Sequence, residues 1–414
     1  MKIRFYSLAL MAMMIFSAMS FVSCDDDDDD NDGSSVISFE NVTEMKDFVQ
    51  SGKFPAIAPG QSIEIIFNAG KGQAIMFATM YGNSNDLFFA PDNPGISLYN
   101  GEGTPITGDL SPLAKLWDNG TRINQAPGSN VSHPGTADNG NITMINGTDA
   151  QGHSYLPASE LMKLNLTYNK SRSEFTLTIT NNSNGTSNET PMSPGVWVVS
   201  NILDGDLLNE QPYFTAGQKS GSQLTTLAET GNNNPLYDMV NGMTGIITKL
   251  SPTLVVIYTG DVNPIYELNK KDGGLGLQAL AQKGETDQLE ESLKTMSNVR
   301  NVYIAGGATT KPGQKNETHF DALRGDKIAY ATMFGYSNDW FYSNSEPIDA
   351  LSKGEITNKT VLLDNGTAVN QYPGAGNLQA LFGGTSEPED KAIERVGNTY
   401  PVPEVSKVIK VVIR

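Results

Sequence analysis

Short apolar runs alternate along this chain with punctuation rich in glycine, asparagine and proline. The segments SIEIIF (62–67), AIMFATM (74–80), LMKLNLTY (161–168), FTLTIT (175–180), VWVVS (196–200) and VIKVVIR (408–414) have the length and the β-branched, aromatic content of strands. Asn-Gly and Pro-Gly pairs between them mark turns. No regular helix intervenes from strand to strand, so the pattern predicts a mainly β protein built as an antiparallel β-sandwich rather than a doubly wound parallel sheet. Helical signal is confined to two segments of the form LxxLAxxG, LTTLAETG from Leu224 and LQALAQKG from Leu277, each followed by apolar spacings around Leu236 and Leu289. Asp287 with Glu290 offers a capping box for the helix after Gly284.

The pattern repeats. NAGKGQAIMFATMYGNSND (68–86) and DALRGDKIAYATMFGYSND (321–339) align without a gap, and each is followed downstream by LWDNGT or LLDNGT. Each copy is an apolar strand that ends in a small polar turn carrying a carboxylate. The helical segments are duplicated too, and Ser193-Pro194 before VWVV is echoed by Ser251-Pro252 before LVVIY. The order along the chain is carboxylate half, helix half, helix half, carboxylate half. Two organisations satisfy it. In one, a first module over 34–247 has its halves exchanged, as in a circular permutation, and a second occupies 248–414. In the other, a short first domain of 34–170 precedes a larger one, beginning near 174, that holds an inserted duplicate. A chain of 414 residues is in either case too long for one ordinary core.

The beginning of the chain sets the compartment. Lys2 and Arg4 precede an apolar run over 8–22 that is short for a membrane span and reads as a signal peptide over 1–23. It ends in Phe21-Val22-Ser23-Cys24, similar to a bacterial lipobox, which makes Cys24, the single cysteine, the expected lipidation site. Asp25 to Asp30 and Asp32 form an acidic run that stays solvated and extended, giving a tether over 24–33. It resembles the surface-export signal of Bacteroidetes lipoproteins, and the expected location is the outer membrane, lipid-anchored and facing outward. A formal net charge of −18 argues against nucleic acid as a partner.

FATMYGNSNDLFF (77–89) with LWDNGTRINQAPG (116–128), and YATMFGYSNDWFY (330–342) with LLDNGTAVNQYPG (362–374), resemble the spondin N-terminal domain family, as do SPGVWV from Ser193 and LAETGNNNPL from Leu227. The resemblance covers most of 34–414. It implies two β-sandwich modules, each holding one calcium ion at a loop-rich end, and adhesion or matrix recognition as a role. Carried over by position, the ligand aspartates are Asp86 and Asp118 in the first module and Asp339 and Asp364 in the second. A third ligand falls at Asn68 and Asp321, and a carbonyl ligand at Gly82 and Gly335. Calcium takes six to eight oxygens, and each aspartate here stands beside an amide residue, Asn85, Asn119, Asn338 or Asn365, that supplies more. With Asn68 in place of a carboxylate, the first site is expected to bind more weakly than the second. Asn-Gly at 119–120 and 365–366 is equally a hairpin signal, and Asp beside it caps such a turn without any metal.

No motif selects a catalytic group. His133, His153 and His319 stand in unlike contexts, and no acidic pair is singled out. Trp117, Trp197 and Trp340, with their neighbouring phenylalanines and tyrosines, are read as core rather than as a sugar-stacking platform. The expectation is a non-enzymatic, surface-anchored module whose calcium-ordered loops recognise an extracellular glycan, matrix component or surface protein. A structural component of an outer-membrane or matrix assembly is the second reading, and a polysaccharide hydrolase the third.

Overall fold

The computed structural model describes residues 33–414 apart from Ser129 and Ser171. The signal peptide, Cys24 and the aspartate run therefore lie outside the described residues. The protein is mainly β, two antiparallel sandwiches with short helices against each.

In the first sandwich the larger sheet runs in the order Phe48–Phe54, Gly195–Ser200, Ala74–Met80, Leu87–Ala90, Lys115–Asp118 and Thr143–Ile145. The smaller sheet is Ser62–Asn68, Glu174–Asn181, Met162–Asn169 and Gly108–Asp109. Between them pack Ile75, Phe77, Phe89 and Leu116 from one side and Phe67, Leu164, Phe175 and Leu177 from the other. The helices Ser222–Thr230 and Asn234–Gly242 cover the other face of the larger sheet, where Met76, Ala78, Phe88, Trp117 and Val198 meet Leu224, Leu227, Leu236 and Val240. This layering explains two kinds of strand. Ala74–Met80 is apolar and buried throughout because both of its faces are covered. Met162–Asn169 alternates buried with exposed because its outer face meets water.

The second sandwich repeats the arrangement. Its larger sheet is Val299–Ala305, Thr253–Tyr258, Lys327–Met333, Trp340–Asn344, Thr360–Asp364 and Glu394–Arg395, with helices Leu277–Lys283 and Asp287–Lys294 outside it. LxxLAxxG ends in glycine because the helix must stop there: Gly231 and Gly284 adopt φ of 69° and 75° and donate their amides to Leu227 and Leu280. The capping box expected at Asp287 does not form. Thr286 is the N-cap, without a side-chain bond, and Asp287 and Glu290 sit inside the first turn, where their charge opposes the helix dipole favourably. Trp117 and Trp340 are buried and Trp197 packs against the first core, as a core reading of these residues requires.

The smaller sheet of the second sandwich reads Lys315–Ala322, Gly33–Asn41, Ile409–Ile413 and Gly354–Glu355. Its second strand comes from the start of the described chain, where the sequence reading places the first module. Gly33–Asn41 holds the position that Glu174–Asn181 holds in the first sandwich, and the two end in the same device. Asn181 donates to the carbonyls of Ile57 and Thr190 and accepts from Ser183; Asn41 donates to Thr310 and Thr248 and accepts from Thr43. After Asn181 the chain passes directly to the next strand. After Asn41 it leaves, builds the whole first sandwich, and returns at Thr248.

The first sandwich is thus inserted between the first two strands of the second, and its own ends lie together. Phe48 donates its amide to Met243 and accepts from Gly245, while Asn201 bonds both Lys46 and Gly245. The second sandwich joins the equivalent helix and strand directly, from Lys294 to Val299. The inserted copy is therefore also permuted. A shorter first domain of 34–170 would omit Glu174–Asn181 and Gly195–Ser200, both of which pair inside the first sandwich.

The loop end of the second sandwich sits on the first. Gln73 donates to the Gly374 carbonyl at 2.9 Å, Ser173 to Asn377 at 2.8 Å, Ala375 is buried in the first core, and the Phe382 ring lies against Gly70.

Candidate metal centres and an adjoining groove

Each SND turn assigns one task to each residue. Ser84 donates to the Tyr81 carbonyl at 2.6 Å and accepts the Leu87 amide, and Ser337 does the same with Phe334 and Trp340. Asn85 and Asn338 accept the amides of Gln125 and Gln371, tying down the following loop. Asp86 and Asp339 turn inward and are fully buried.

Strand register brings the second aspartate alongside, since Leu87 lies opposite Asp118 and Trp340 opposite Asp364. One oxygen of Asp86, Oδ2, accepts from the Thr121 amide (2.8 Å) and hydroxyl (3.2 Å) and from the Arg122 amide (2.9 Å). Asp339 Oδ2 accepts the same three, from the Thr367 amide (2.7 Å), its hydroxyl (3.0 Å) and the Ala368 amide (2.9 Å). Asp118 accepts from the Gly120 amide and Asn124, and Asp364 from the Gly366 amide and Asn370. Gly120 and Gly366 take φ of 72° and 70° with backbone pressed against them, which explains the glycine of DNGT.

These bonds account for the turns as loop staples but leave oxygens over. Asp86 Oδ1 and Asn119 Oδ1 in the first centre, and Asp339 Oδ1 and Asn365 Oδ1 in the second, are buried acceptors with no donor; Asn370 Oδ1 is a fifth. A buried acceptor left unpaired is costly, and here the same two recur in both copies. Charge adds to the conflict. Burial, then the neighbouring Asp118, pushes the Asp86 carboxyl up to about 6, and burial with Asp364 pushes Asp339 up to about 7. Two carboxylates and uncompensated amide oxygens form a hard-oxygen donor set that fits calcium. Among the described residues no group of three or more His, Cys, Asp or Glu side chains gathers, so the remaining ligands at either centre would be amide or backbone oxygens and water.

The other expected ligands lie elsewhere. Asp321 is exposed at the end of Lys315–Ala322, opposite Ser34, and the whole of Lys327–Met333 separates it from Asp339 along the chain. Asn68 is likewise separated from Asp86 by Ala74–Met80; it donates to the Ser173 carbonyl at 2.7 Å. It lines instead a polar cavity of about 310 Å³ between the sandwiches, shared with Asn370 and Gln371 of the second. The carboxylate that was to make the second site stronger is therefore not brought to it. Gly82 and Gly335 immediately precede the turns and donate to the Pro191 and Lys249 carbonyls.

One ion pair escaped the sequence. Arg122 Nε and Nη2 meet Glu229 Oε1 and Oε2 at 2.9 and 2.8 Å, and Thr121 also donates to Glu229 at 2.8 Å. No local pattern links a loop residue to a helix residue so far along the chain. The pair borders a groove of about 640 Å³ over Gly82, beside the first centre. The second copy has Ala368 and Gln282 in these places, with Gln282 donating to Thr367. No family model matches this chain, and no curated protein matches it.

Proposed function

We propose that this protein is a surface-anchored binding module whose loop ends are ordered by calcium and recognise an extracellular ligand. The observation that carries the reading is the recurrence, in two copies of which one is permuted, of a buried aspartate pair with the same donorless oxygens. Asp86, Asp118 and Asn119 would hold one ion, and Asp339, Asp364 and Asn365 the other. Calcium would supply positive charge to a crowded carboxylate pair and fix the SND and DNGT turns against each other. The chain's own residues pre-arrange this: Thr121 and Arg122, or Thr367 and Ala368, hold one oxygen of the buried aspartate so that the other faces inward. The leader and Cys24 support lipid anchorage at the outer membrane, with the acidic tether as spacer.

A role in assembly is the second reading, favoured by the packing of one sandwich's loop end on the other. Calorimetric titration of calcium into the chelator-treated protein, with Cys24→Ser for solubility, tests the first reading. Two binding events are expected, with Asp86→Ala and Asp339→Ala each removing one. No heat in the unsubstituted protein would overturn the metal proposal.

A further inference from the structure

The two aspartate centres differ in what their following loops touch. In both copies the loop is tied to the centre by the same bonds: Asn124 donates to Asp118 at 2.7 Å and Asn370 to Asp364 at 2.5 Å, and the Gln125 and Gln371 amides donate to Asn85 and Asn338 at 3.1 and 2.9 Å. Each loop then closes on its own glutamine, whose Oε1 accepts the Ser132 or the Leu378 amide. From there the copies part. Among the described residues, the hydrogen bonds of 124–136 stay within the first sandwich, whereas the corresponding loop of the second carries the contact with the first. Gly374 donates its amide to the Tyr336 carbonyl, just ahead of the SND turn, and accepts from Gln73 at its own carbonyl, both at 2.9 Å. Asn377 Oδ1 accepts from Gln371 at 3.1 Å and from Ser173 at 2.8 Å. Ala375 is buried in the first core, and the Phe382 ring lies against Gly70. Gly374 and Asn377 are therefore each bonded on one side to the first sandwich and on the other to the loop that the second centre holds.

We infer that the second centre is a calcium-dependent clamp between the sandwiches: occupancy at Asp339, Asp364 and Asn365 holds the 370–382 loop in the shape that docks on the first sandwich, and occupancy at Asp86, Asp118 and Asn119 does not. This rests on the calcium reading above and goes beyond it by giving the two ions different tasks. The buried Asp339 carboxylate and its neighbour Asp364 repel each other, and a cation relieves that repulsion. Occupancy thereby fixes the SND and DNGT turns against each other. Asn370 and Gln371 are bonded to Asp364 and Asn338 of those turns and are fixed with them. A calcium ion that binds the docked arrangement more tightly than the undocked one must shift the chain toward docking, and docking must in return tighten the binding of calcium.

That reciprocity allows a test from the far side of the interface. Gly70 belongs to the first sandwich and its amide is bonded to Gln73, yet a side chain there would press on Phe382. Calcium is titrated calorimetrically into the Cys24→Ser protein with and without Gly70→Leu, in versions that also carry Asp86→Asn or Asp339→Asn so that one centre is read at a time. Gly70→Leu should raise the Kd of the second centre by about fivefold or more and leave that of the first unchanged. Adding Phe382→Ala to Gly70→Leu should restore the second affinity. Native affinity at the first centre shows that the Gly70→Leu protein is folded. A second measurement leaves the interface unsubstituted: hydrogen exchange over 371–382 should slow on adding calcium to the Asp86→Asn protein and should not slow in the Asp339→Asn protein. If Gly70→Leu leaves both affinities unchanged, or if calcium slows exchange equally in the two aspartate variants, the clamp is overturned while the calcium reading stands. If the unsubstituted protein takes up no calcium, both are overturned.

Discussion

Ile37 lies directly opposite Ile413 in antiparallel register, so the first described strand is held against the last. Lys315–Ala322 flanks it on the other side, and the strand is therefore interior to the second sandwich although everything from Phe48 to Met243 intervenes before that sandwich resumes. Phe39 on this strand is buried edge-on against Tyr330, ring centroids 5.2 Å apart. Phe39→Ala should cost about 3–5 kcal/mol and should destabilise the second sandwich, while Phe175→Ala should act on the first. Hydrogen exchange resolved by peptide checks this: faster exchange in Thr253–Tyr258 and Lys327–Met333 is expected for Phe39→Ala, and faster exchange only in the first sandwich would contradict the assigned topology.

The aspartate centres predict a reversal of sign. Without metal, Asp339 is a buried carboxylate beside another, so Asp339→Asn removes repulsion and should be neutral or stabilising in chelator. In calcium the native protein gains RT ln(1 + [Ca]/Kd), about 2.7 kcal/mol at a hundredfold excess over Kd, and the variant forfeits that share. Thermal melts of both proteins in calcium and in chelator read the crossing. If Asp339→Asn is equally destabilising in both media, Asp339 acts as a loop staple only.

Arg122 and Glu229 should behave as a unit. Glu229→Gln leaves a half-buried guanidinium without its carboxylate and should cost about 1–3 kcal/mol. The pair Arg122→Ala with Glu229→Gln reproduces the Ala368 and Gln282 of the second copy and should recover much of the loss, a coupling of about 0.5–3 kcal/mol in a double-mutant cycle by urea unfolding. Simple addition of the two single effects would show that the ion pair contributes nothing beyond its separate parts.

The contact between the sandwiches rests on a close approach. A Cβ at Gly70 would stand 2.6 Å from the Phe382 ring, which is itself buried. Gly70→Leu should therefore push the Ala380–Phe382 turn away and expose it to limited proteolysis, and it should separate the unfolding of the two sandwiches. Phe382→Ala combined with Gly70→Leu provides room again. Cleavage near residue 381 at the native rate in Gly70→Leu would contradict a tight interface there.

Much of the site was legible because its determinants are local. The serine of SND, the glycine of DNGT and the glycine of LxxLAxxG each answer to a turn within a few residues, and such turn chemistry is written in adjacent positions. The burial of Asp86 beside Asp118 needs more than a turn, since it rests on the pairing of Leu87–Ala90 with Lys115–Asp118, strands that are not consecutive in the chain. The positions of Asp321 and Asn68, each a whole strand away from the SND turn along the chain, were not legible for the opposite reason. A likeness in sequence order carries no information on which end of a strand a residue occupies, and the seven-residue strands Ala74–Met80 and Lys327–Met333 stand between these residues and the aspartate pairs.

The sequence by itself determined the class of fold and the duplication of its segments, because apolar periodicity and repeated turns are properties of short windows. Only the tertiary structure decided that Gly33–Asn41 completes the second sandwich, that Arg122 meets Glu229, and that Phe382 packs against Gly70 of the other sandwich. Backbone edges are chemically alike, so which distant strand or loop fills a given place depends on the packing of all the others.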